Sequence, residues 1–413
     1  MLYARLSREA RLLIVMRAVR SIGQGALVVD FALYLHALRW SAPAIGTLFM
    51  AALLVSATLA LFVGPLSDIR GRKGFLRAYE WVQVVAALMA IASARPSALA
   101  VAAVLGGFGH GLNGGAGPFA PVELAWLSEL VDARDRPAVY SLNTAVGFSG
   151  MALGALLASL PSLIGTLLPG ALAYRPLFLL PLLAALLALI LLRALPDSVP
   201  YRRPSVEDVP ADSVSDALTR AENRKLLKLF GINALNGLGI GFMGPLMAYW
   251  FAVRFHHGPL SIGPLMSLAL VVTAASSLLV GRLTHRYGVV RSVLTMRYLG
   301  LAVLLVLPLA PSFSIAAALY ILRSALNRGT AGARQALNLG LVRSHRRGLA
   351  ASLNSVSIQA PRAIGPVFAG LLYHAGFLAL PFFIAGGFQA IYLVLYRRLF
   401  RESASAPLAP SSE

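Results

Sequence analysis

The chain contains a series of apolar segments that are each long enough to cross a lipid bilayer as a helix. A hydrocarbon core of roughly 30 Å requires about 20 consecutive, mostly apolar residues in a helix. Such runs follow one another from Leu12 almost to the C-terminus. Only 13% of the 413 residues are charged, against about a quarter in soluble domains. These features exclude a soluble globular protein and predict an all-α membrane protein.

The pattern of apolar runs predicts twelve transmembrane helices in two pseudo-symmetric six-helix bundles. Short polar breaks separate most helices, but one long polar segment divides them into two sets of six. The predicted division is an N-terminal bundle over 1–195, a cytoplasmic linker over 196–223, a C-terminal bundle over 224–400 and a disordered tail over 401–413. The predicted helices are 13–38, 42–66, 75–94, 98–128, 138–160, 174–195, 226–253, 259–282, 292–310, 313–341, 349–373 and 377–396.

Lysine and arginine residues concentrate on one side of the predicted bilayer. With the N-terminus in the cytoplasm, 27 basic residues fall in inner loops and helix ends and four in outer loops, which is the bias of cytoplasmic loops. We therefore expect a multi-pass protein of the plasma (inner) membrane with both termini cytoplasmic. This distribution also explains most of the net charge of +20. The expected partners are the lipid bilayer and a small-molecule substrate, with no nucleic acid, and the expected assembly is a monomer.

The sequence lacks the residues that several kinds of chemistry require. The chain has no cysteine, which excludes disulfides, thiolate metal sites, iron–sulfur clusters and cysteine nucleophiles. The patterns G-x-x-x-x-G-K-[ST], H-E-x-x-H and G-x-S-x-G are absent as well, and these mark ATP-binding loops, zinc proteases and serine hydrolases. The chain is therefore not expected to be an enzyme or to hold a metal or cofactor. A proton is the expected coupling ion.

Two segments recur in the two halves of the chain. Gly64–Gly71 shares the pattern G-x-L-[ST]-x-x-x-G with Gly281–Gly288, at an offset of 217 residues. Arg136–Asn143 matches Arg347–Asn354 at an offset of 211 residues. Nearly constant offsets in the same order indicate duplicated transporter halves related by a parallel repeat.

The first of these segments resembles the loop G-x-L-x-D-x-x-G-R-[KR]-x-x-L of the major facilitator superfamily. The repeat and the predicted topology extend the resemblance over about 390 residues. The resemblance implies two bundles that rock about a central site. A second segment, Gly147–Gly154, is similar to a glycine-rich motif of proton-coupled antiporters, which export drugs or metabolites. The matching loop residues are Gly64, Leu66, Asp68, Gly71, Arg72, Lys73 and Leu76.

The loop residues form a candidate gating motif. Its basic residues can pair with Glu123 and Glu129 at the inner end of the fourth helix, closing an inner gate in one state and releasing it in the other. Alternatively, they are only topology-determining charges and turn glycines. The candidate gating residues are Gly64, Asp68, Arg70, Gly71, Arg72, Lys73 and Glu129.

Asp30 is the strongest candidate for proton coupling because it is predicted to lie on the first helix near the middle of the bilayer. Charged groups inside a span are costly and are functional candidates by default. A carboxyl group removed from water takes up a proton more readily. The alternative is a structural aspartate that is hydrogen-bonded to Tyr34 or paired with an arginine. Glu123 and His110 are the other candidate proton-coupling residues.

Arginines at membrane depth in the second half suggest an anionic ligand. Arg323, Arg328 and Arg362 keep their charge, and arginine binds carboxylates and phosphates bidentately. The alternative is that they form salt bridges between helices. Arg17 and Arg20, in contrast, are expected to extend to the inner membrane surface. The candidate substrate-binding residues are Asp30, Gln24, Tyr34, Asn113, Asn236, Arg323, Asn327, Arg328 and Arg362, with Glu80 and Asn233 as further polar groups of a cavity.

The sequence thus predicts a secondary active transporter that works by alternating access. The first hypothesis is proton-coupled antiport that exports a small amphipathic or anionic compound. The alternative is an importer or facilitator of an organic anion, a carboxylate or phosphate bound by the membrane arginines. A sensor or lipid scramblase with the same fold is a candidate from another class.

Overall fold

The structure, a computed structural model, describes residues 6–109, 120–132, 135–165, 167–196, 214–331, 334 and 347–405. Within these ranges all regular secondary structure is helical. The helices are α1 (Arg8–Ala37), α2 (Ala42–Arg70), α3 (Arg72–Ala92), α4 (Pro96–Gly106), α5 (Ala120–Glu129), α6 (Arg136–Leu157), α7 (Leu160–Ile164), α8 (Leu179–Arg193), α9 (Val214–Met243), α10 (Met247–Phe255), α11 (Pro259–Tyr287), α12 (Val289–Val306), α13 (Phe313–Arg328), α14 (Arg347–His374) and α15 (Leu380–Ser405).

The all-α membrane fold is confirmed. Nine helical stretches of the described residues are long and apolar enough to span a membrane, and Pro96–Gly106 is a shorter apolar helix. Two short 3₁₀ segments, Gly170–Phe178 and Leu307–Leu309, adjoin α8 and α12. The predicted seventh span is divided into α9 and α10 at Gly244–Leu246, because Pro245 has no N–H to donate.

Several helix ends differ from the predicted ones. Helix α1 begins at Arg8, where the Ser7 hydroxyl accepts a hydrogen bond from the Ala10 N–H at 3.2 Å. Helix α9 begins at Val214, inside the segment predicted as a linker, and α15 continues to Ser405, inside the predicted tail. These ends are rich in polar residues, so hydropathy alone does not mark them. The division into domains stays a prediction.

The internal repeat is visible in the backbone. Gly71 precedes α3 with φ 89° and ψ 137°, and Gly288 precedes α12 with φ 80° and ψ 150°. A side chain at either position would be strained because positive φ values favour glycine. Gly71 and Gly288, which occupy the same position in the internal repeat, therefore make the same turn in each half.

Glycines bring helices of each half into backbone contact. A Cβ atom on Gly25 of α1 would collide with the carbonyl of Met151, and one on Gly154 of α6 would collide with the carbonyl of Ile22. Small residues permit this close approach in membranes. The glycine-rich segment Gly147–Gly154 thus packs α6 against α1, while α9 packs against α14 and α15 in the second half.

The two halves meet on one side of the membrane. We call the side that carries Arg8 and Arg398 the terminal side and the opposite one the far side. On the far side, one cluster of buried apolar residues includes Phe31 of the first half together with Trp250 and Phe382 of the second. On the terminal side, the described buried apolar residues form two separate clusters, one in each half. The halves therefore share a core only towards the far side.

Close contacts between the halves follow two seams on the far side. Along the first, α2 meets α14, and a Cβ atom on Gly46 would collide with the carbonyl of Pro366. Along the second, α6 meets α11 near Gly263. Between the seams, the rings of His36 and Tyr249 lie edge to face with centroids 5.1 Å apart. This arrangement closes the far side of the molecule.

Candidate functional site

A buried ion cluster connects three helices of the first half. The Arg20 guanidinium on α1 lies 3.1 Å from the Glu80 carboxylate on α3 and also contacts the Glu123 carboxylate on α5. All three side chains are at most 5% exposed. The prediction that Arg20 extends to the membrane surface is wrong, because two carboxylates hold it inside the bundle. Glu123 pairs with Arg20 rather than with the loop arginines.

Arg17 adds a second cation to this cluster. It is 5% exposed, so the prediction that it extends to the surface is also wrong. Its Nε lies 2.8 Å from the position that a Cβ atom on Gly147 would occupy, and Glu123 is near enough to attract it electrostatically. A glycine at this position makes room for the guanidinium. Two arginines and two glutamates give a cluster without net charge.

Asp30 lies apart from this cluster. It is seven residues before the end of α1, about 10 Å along the helix axis, and is 1% exposed. Neither carboxylate oxygen has a hydrogen-bond partner among the described residues, and the same holds for the Tyr34 hydroxyl. The alternative of an aspartate bonded to Tyr34 is therefore not what the structure shows. The Tyr34 ring instead packs against Tyr174 and Phe178, at 5.9 and 5.7 Å between centroids.

Arg297 is a buried cation of the second half that is held by two contacts. It donates a hydrogen bond to the Asn236 side-chain oxygen at 2.6 Å, and its guanidinium lies 4.8 Å from the centre of the Tyr392 ring. It is 4% exposed. Arg297 is one of the 27 basic residues that the sequence places in inner loops and helix ends, and this placement is wrong because the side chain is buried inside the bundle. Its distance of nine residues from Gly288, about 13 Å along a helix, is the signal that could have placed it inside the bundle.

The predicted substrate-binding arginines lie close to one another. Arg323 is 6% exposed and interacts electrostatically with Arg297 and Arg328. Arg328 donates to the Tyr320 hydroxyl at 3.5 Å and is also in electrostatic range of Arg362. Arg362 is 2% exposed and donates to the side-chain oxygen of Gln359 at 3.5 Å. The structure thus brings together residues from three helices.

Five arginines form what we call the arginine chain, in which each guanidinium is in electrostatic range of the next. Three of them donate described hydrogen bonds to neutral groups, namely the Asn236 amide, the Tyr320 hydroxyl and the Gln359 amide. Residues 223–401 contain eighteen lysines and arginines and no aspartate or glutamate, so no carboxylate from this stretch can join them. In order, the arginine chain is Arg334, Arg297, Arg323, Arg328 and Arg362.

The remaining predicted polar groups are dispersed. Asn327 is 9% exposed and lies against Gly300, where a Cβ atom would be 3.1 Å from its side-chain nitrogen. Gln24 is half-buried on α1. His110 and Asn113 lie outside the described residues.

The candidate gating motif forms contacts within the first half. The Arg72 guanidinium lies 2.6 Å from the Glu129 carboxylate, which confirms the predicted pairing of a loop arginine with the end of the fourth span. Lys73 donates to the carbonyl of Leu195 at 2.5 Å. The structure does not describe the side chains of Asp68 and Arg70 or the surroundings of Gly64. The gating role itself stays a prediction.

Two six-helix bundles, a shared core on one side and buried ionic groups at membrane depth define the class of membrane transporters. The family model of the Major Facilitator Superfamily matches residues 13–228 and 229–413. The chain belongs to this family and is a transporter, not an enzyme.

Comparisons with individual proteins agree with the fold. The uncharacterized membrane protein YJR124C of Saccharomyces cerevisiae is 23% identical over 410 residues, covering 92% of this chain and 91% of that protein. A crystal structure of a bacterial homolog of the human lysosomal transporter Spinster, inward-facing and occupied, has a TM-score of 0.72 at 16% identity and covers 97% of this chain and 98% of its own. The nucleoside transporter NupG has a TM-score of 0.71 at 12% identity, covering 95% and 100%.

Proposed function

We propose that this transporter carries a small organic anion by alternating access, in exchange for protons, and that the second half binds the anion. The terminal side is the proposed cytoplasmic side, and the separate cores on that side support loading of the solute from the cytoplasm for export. Rocking of the two bundles about the bound solute then exposes it to the far side.

The observation that carries the proposal is the arginine chain within a stretch, residues 223–401, that contains no aspartate or glutamate. Each arginine at the centre of a membrane helix costs about 2.5–3.5 kcal/mol on insertion scales. An arginine cannot lower this cost by releasing its proton. Salt bridges within the second half would lower it, but residues 223–401 provide no carboxylate for them. An anionic solute provides the missing charge.

Asp30 is the proposed proton carrier. Glu123 is the other described acid of the predicted coupling set, and it is in contact with Arg20 in a cluster without net charge. Asp30 has no hydrogen-bond partner for its carboxylate among the described residues. A carboxyl group in such surroundings favours its neutral form and loses the proton when the surroundings become aqueous. Opening of the far side would supply that change.

A facilitator of organic anions without proton coupling is the second candidate. It is favoured by the position of Asp30, which lies between Val29 and Phe31 of the apolar cluster on the far side and is 1% exposed. Under this alternative, the arginine chain still binds the anion, and Asp30 has only a structural role.

Purified transporter in vesicles with an imposed pH gradient tests both candidates. Uptake of organic anions and cations is measured in vesicles that are acidic or alkaline inside, and antiport requires anion movement opposite to that of protons. Asp30→Asn should abolish uphill flux but retain anion exchange, while Asp132→Asn, on an exposed loop, should pump normally. Normal pumping by Asp30→Asn would refute proton carriage by this residue. Transport of cations alone would refute the proposed substrate class.

Arg323→Gln tests the site of the anion. Anion flux should fall at least tenfold, because a buried charge-assisted contact is lost. Arg254→Gln removes the same charge from an exposed position at the end of α10 and should leave the flux unchanged. Equal flux in the two variants would show that the arginine chain does not bind the substrate.

A further inference from the structure

We infer that the second half binds an acidic phospholipid in a groove between α12 and α15 on the terminal side, and that Arg291 and Arg397 hold the phosphate of its headgroup. Neither arginine belongs to the arginine chain, so the inference does not depend on the proposed transport of anions.

The groove lies between the terminal ends of the two helices and has a volume of about 430 Å³. Further towards the far side the helices touch, since a Cβ atom on Gly386 would lie 2.5 Å from the Leu305 side chain. Leu294 belongs to the buried apolar cluster of the terminal side and gives the groove an apolar base. The lining residues are Val290, Arg291, Leu294, Thr295 and Tyr298 of α12 and Arg397 of α15.

Both arginines lie at the level expected for lipid headgroups. Arg291 is near the start of the membrane-spanning stretch Val289–Leu309, and Arg397 is near the end of Leu380–Phe400. Both side chains are exposed. Arginines near the ends of membrane helices place their charge at the interface while their stems stay in apolar surroundings. Guanidinium groups bind phosphate oxygens bidentately, and the described lining of the groove contains no acid that would compete for them.

The surroundings of the groove favour a lipid over a soluble phosphate. Leu299 on α12 and Ile391 and Val394 on α15 are exposed apolar side chains that lie deeper in the membrane than the two arginines. A soluble phosphate would contact the guanidinium groups but leave this apolar surface uncovered. A phospholipid covers it with an acyl chain, and basic pockets between membrane helices are typical sites for acidic headgroups.

Native mass spectrometry of the purified full chain tests the inference through the dissociation constant of the first bound lipid. Phosphatidylglycerol, which is anionic, should bind at least about tenfold more tightly than phosphatidylcholine, because each arginine near the headgroups contributes roughly fivefold. The double variant Arg291→Gln with Arg397→Gln should reduce this preference to about twofold or less.

The matched control removes the same charge from the first half. Arg77 and Arg193 are exposed at the terminal ends of α3 and α8, two helices that also pack against each other. The double variant Arg77→Gln with Arg193→Gln should retain the preference for phosphatidylglycerol.

A second pair of variants tests the groove without changing its charge. Thr295→Trp places a large side chain in the groove and should weaken phosphatidylglycerol binding at least about fivefold, the lower limit for overpacking. Leu299→Trp lies beside the groove but outside its described lining and should bind like the unmodified chain. This pair also decides the question if the double arginine variant does not fold.

Three results would overturn the inference. The first is a preference that persists without Arg291 and Arg397, or that the control pair loses to the same extent. The second is unchanged binding by Thr295→Trp, which would place the lipid elsewhere. The third is displacement of the lipid by an equal concentration of glycerol phosphate, which would show that the site takes a soluble phosphate instead.

Discussion

Adding a methyl group at a seam between the halves should shift the transporter away from the conformation described above. At Gly263 of α11, a Cβ atom would lie 2.8 Å from the Ala155 carbonyl oxygen and 2.9 Å from the Ser159 hydroxyl oxygen on the opposite half. Ordinary contacts of this kind begin at 3.4 Å. In Gly263→Ala, the far-side seam therefore has to widen by about half an ångström.

The magnitude follows from the cost of overpacking, which is about 1–3 kcal/mol. The penalty applies only while the far side is closed, because the seam separates when that side opens. Since each 1.4 kcal/mol is tenfold in an equilibrium constant, the ratio of far-side-open to far-side-closed molecules should rise by about 5- to 140-fold. Gly46→Ala on the other seam should act in the same direction.

The shift can be measured with spin labels on introduced cysteines, because the chain has no cysteine of its own that would be labelled as well. One pair, Arg39→Cys with Ala375→Cys, reports the far side, and a second, Ala78→Cys with Arg398→Cys, reports the terminal side; all four positions are exposed. Electron–electron distance measurements on Gly263→Ala should show a longer far-side and a shorter terminal-side distance.

The control for this experiment is Gly387→Ala, because no heavy atom lies within 4 Å of a Cβ atom at that position. Its distance distributions should equal those of the unmodified chain. If Gly263→Ala folds with both distributions unchanged, the seam does not hold the far side closed and the reasoning is refuted.

Two further predictions concern stability without a ligand. Arg20→Gln leaves Glu80 and Glu123 buried without their cation, and loss of one partner of a buried ion pair costs about 3–5 kcal/mol. The melting temperature of Arg20→Gln should therefore be lower than that of Arg254→Gln, and equal melting temperatures would contradict the ion cluster. Arg328→Gln removes a cation that lies between two others, so its melting temperature without anion should exceed that of Arg254→Gln, and a lower one would indicate that its hydrogen bond outweighs the repulsion.

The fold could be predicted from the sequence because its main determinants are local. Membrane spans follow from the apolar content of about 20 residues at a time. The repeat could be found because Gly71 and Gly288 each need a backbone conformation that other residues rarely adopt. The positions of the helix ends are predicted less accurately. The extension of α9 to Val214 involves polar residues that hydropathy does not distinguish from a linker.

The site could be predicted only in part, because distance along a helix gives depth but not the facing partner. Arg323 and Arg362 were identified from depth alone. The partners of Arg20 are 60 and 103 residues away in the sequence, and nothing near Arg20 indicates them. Arg297 was misplaced because a count of basic residues near a helix end does not show which face of the helix they occupy.

The distribution of charge between the halves limits how the proposed cycle can run. The buried cluster of the first half is neutral and joins three helices of the same half, so it moves as part of a rigid body. The arginine chain keeps its positive charge in every conformation because arginine does not release its proton. When the bundles close around an empty site, that charge loses contact with water, and this costs free energy. A bound anion reduces this cost, so the loaded transporter crosses more readily than the empty one. Exchange of one anion for another should therefore be faster than net flux, and equal rates would show that the arginine charge does not control the crossing.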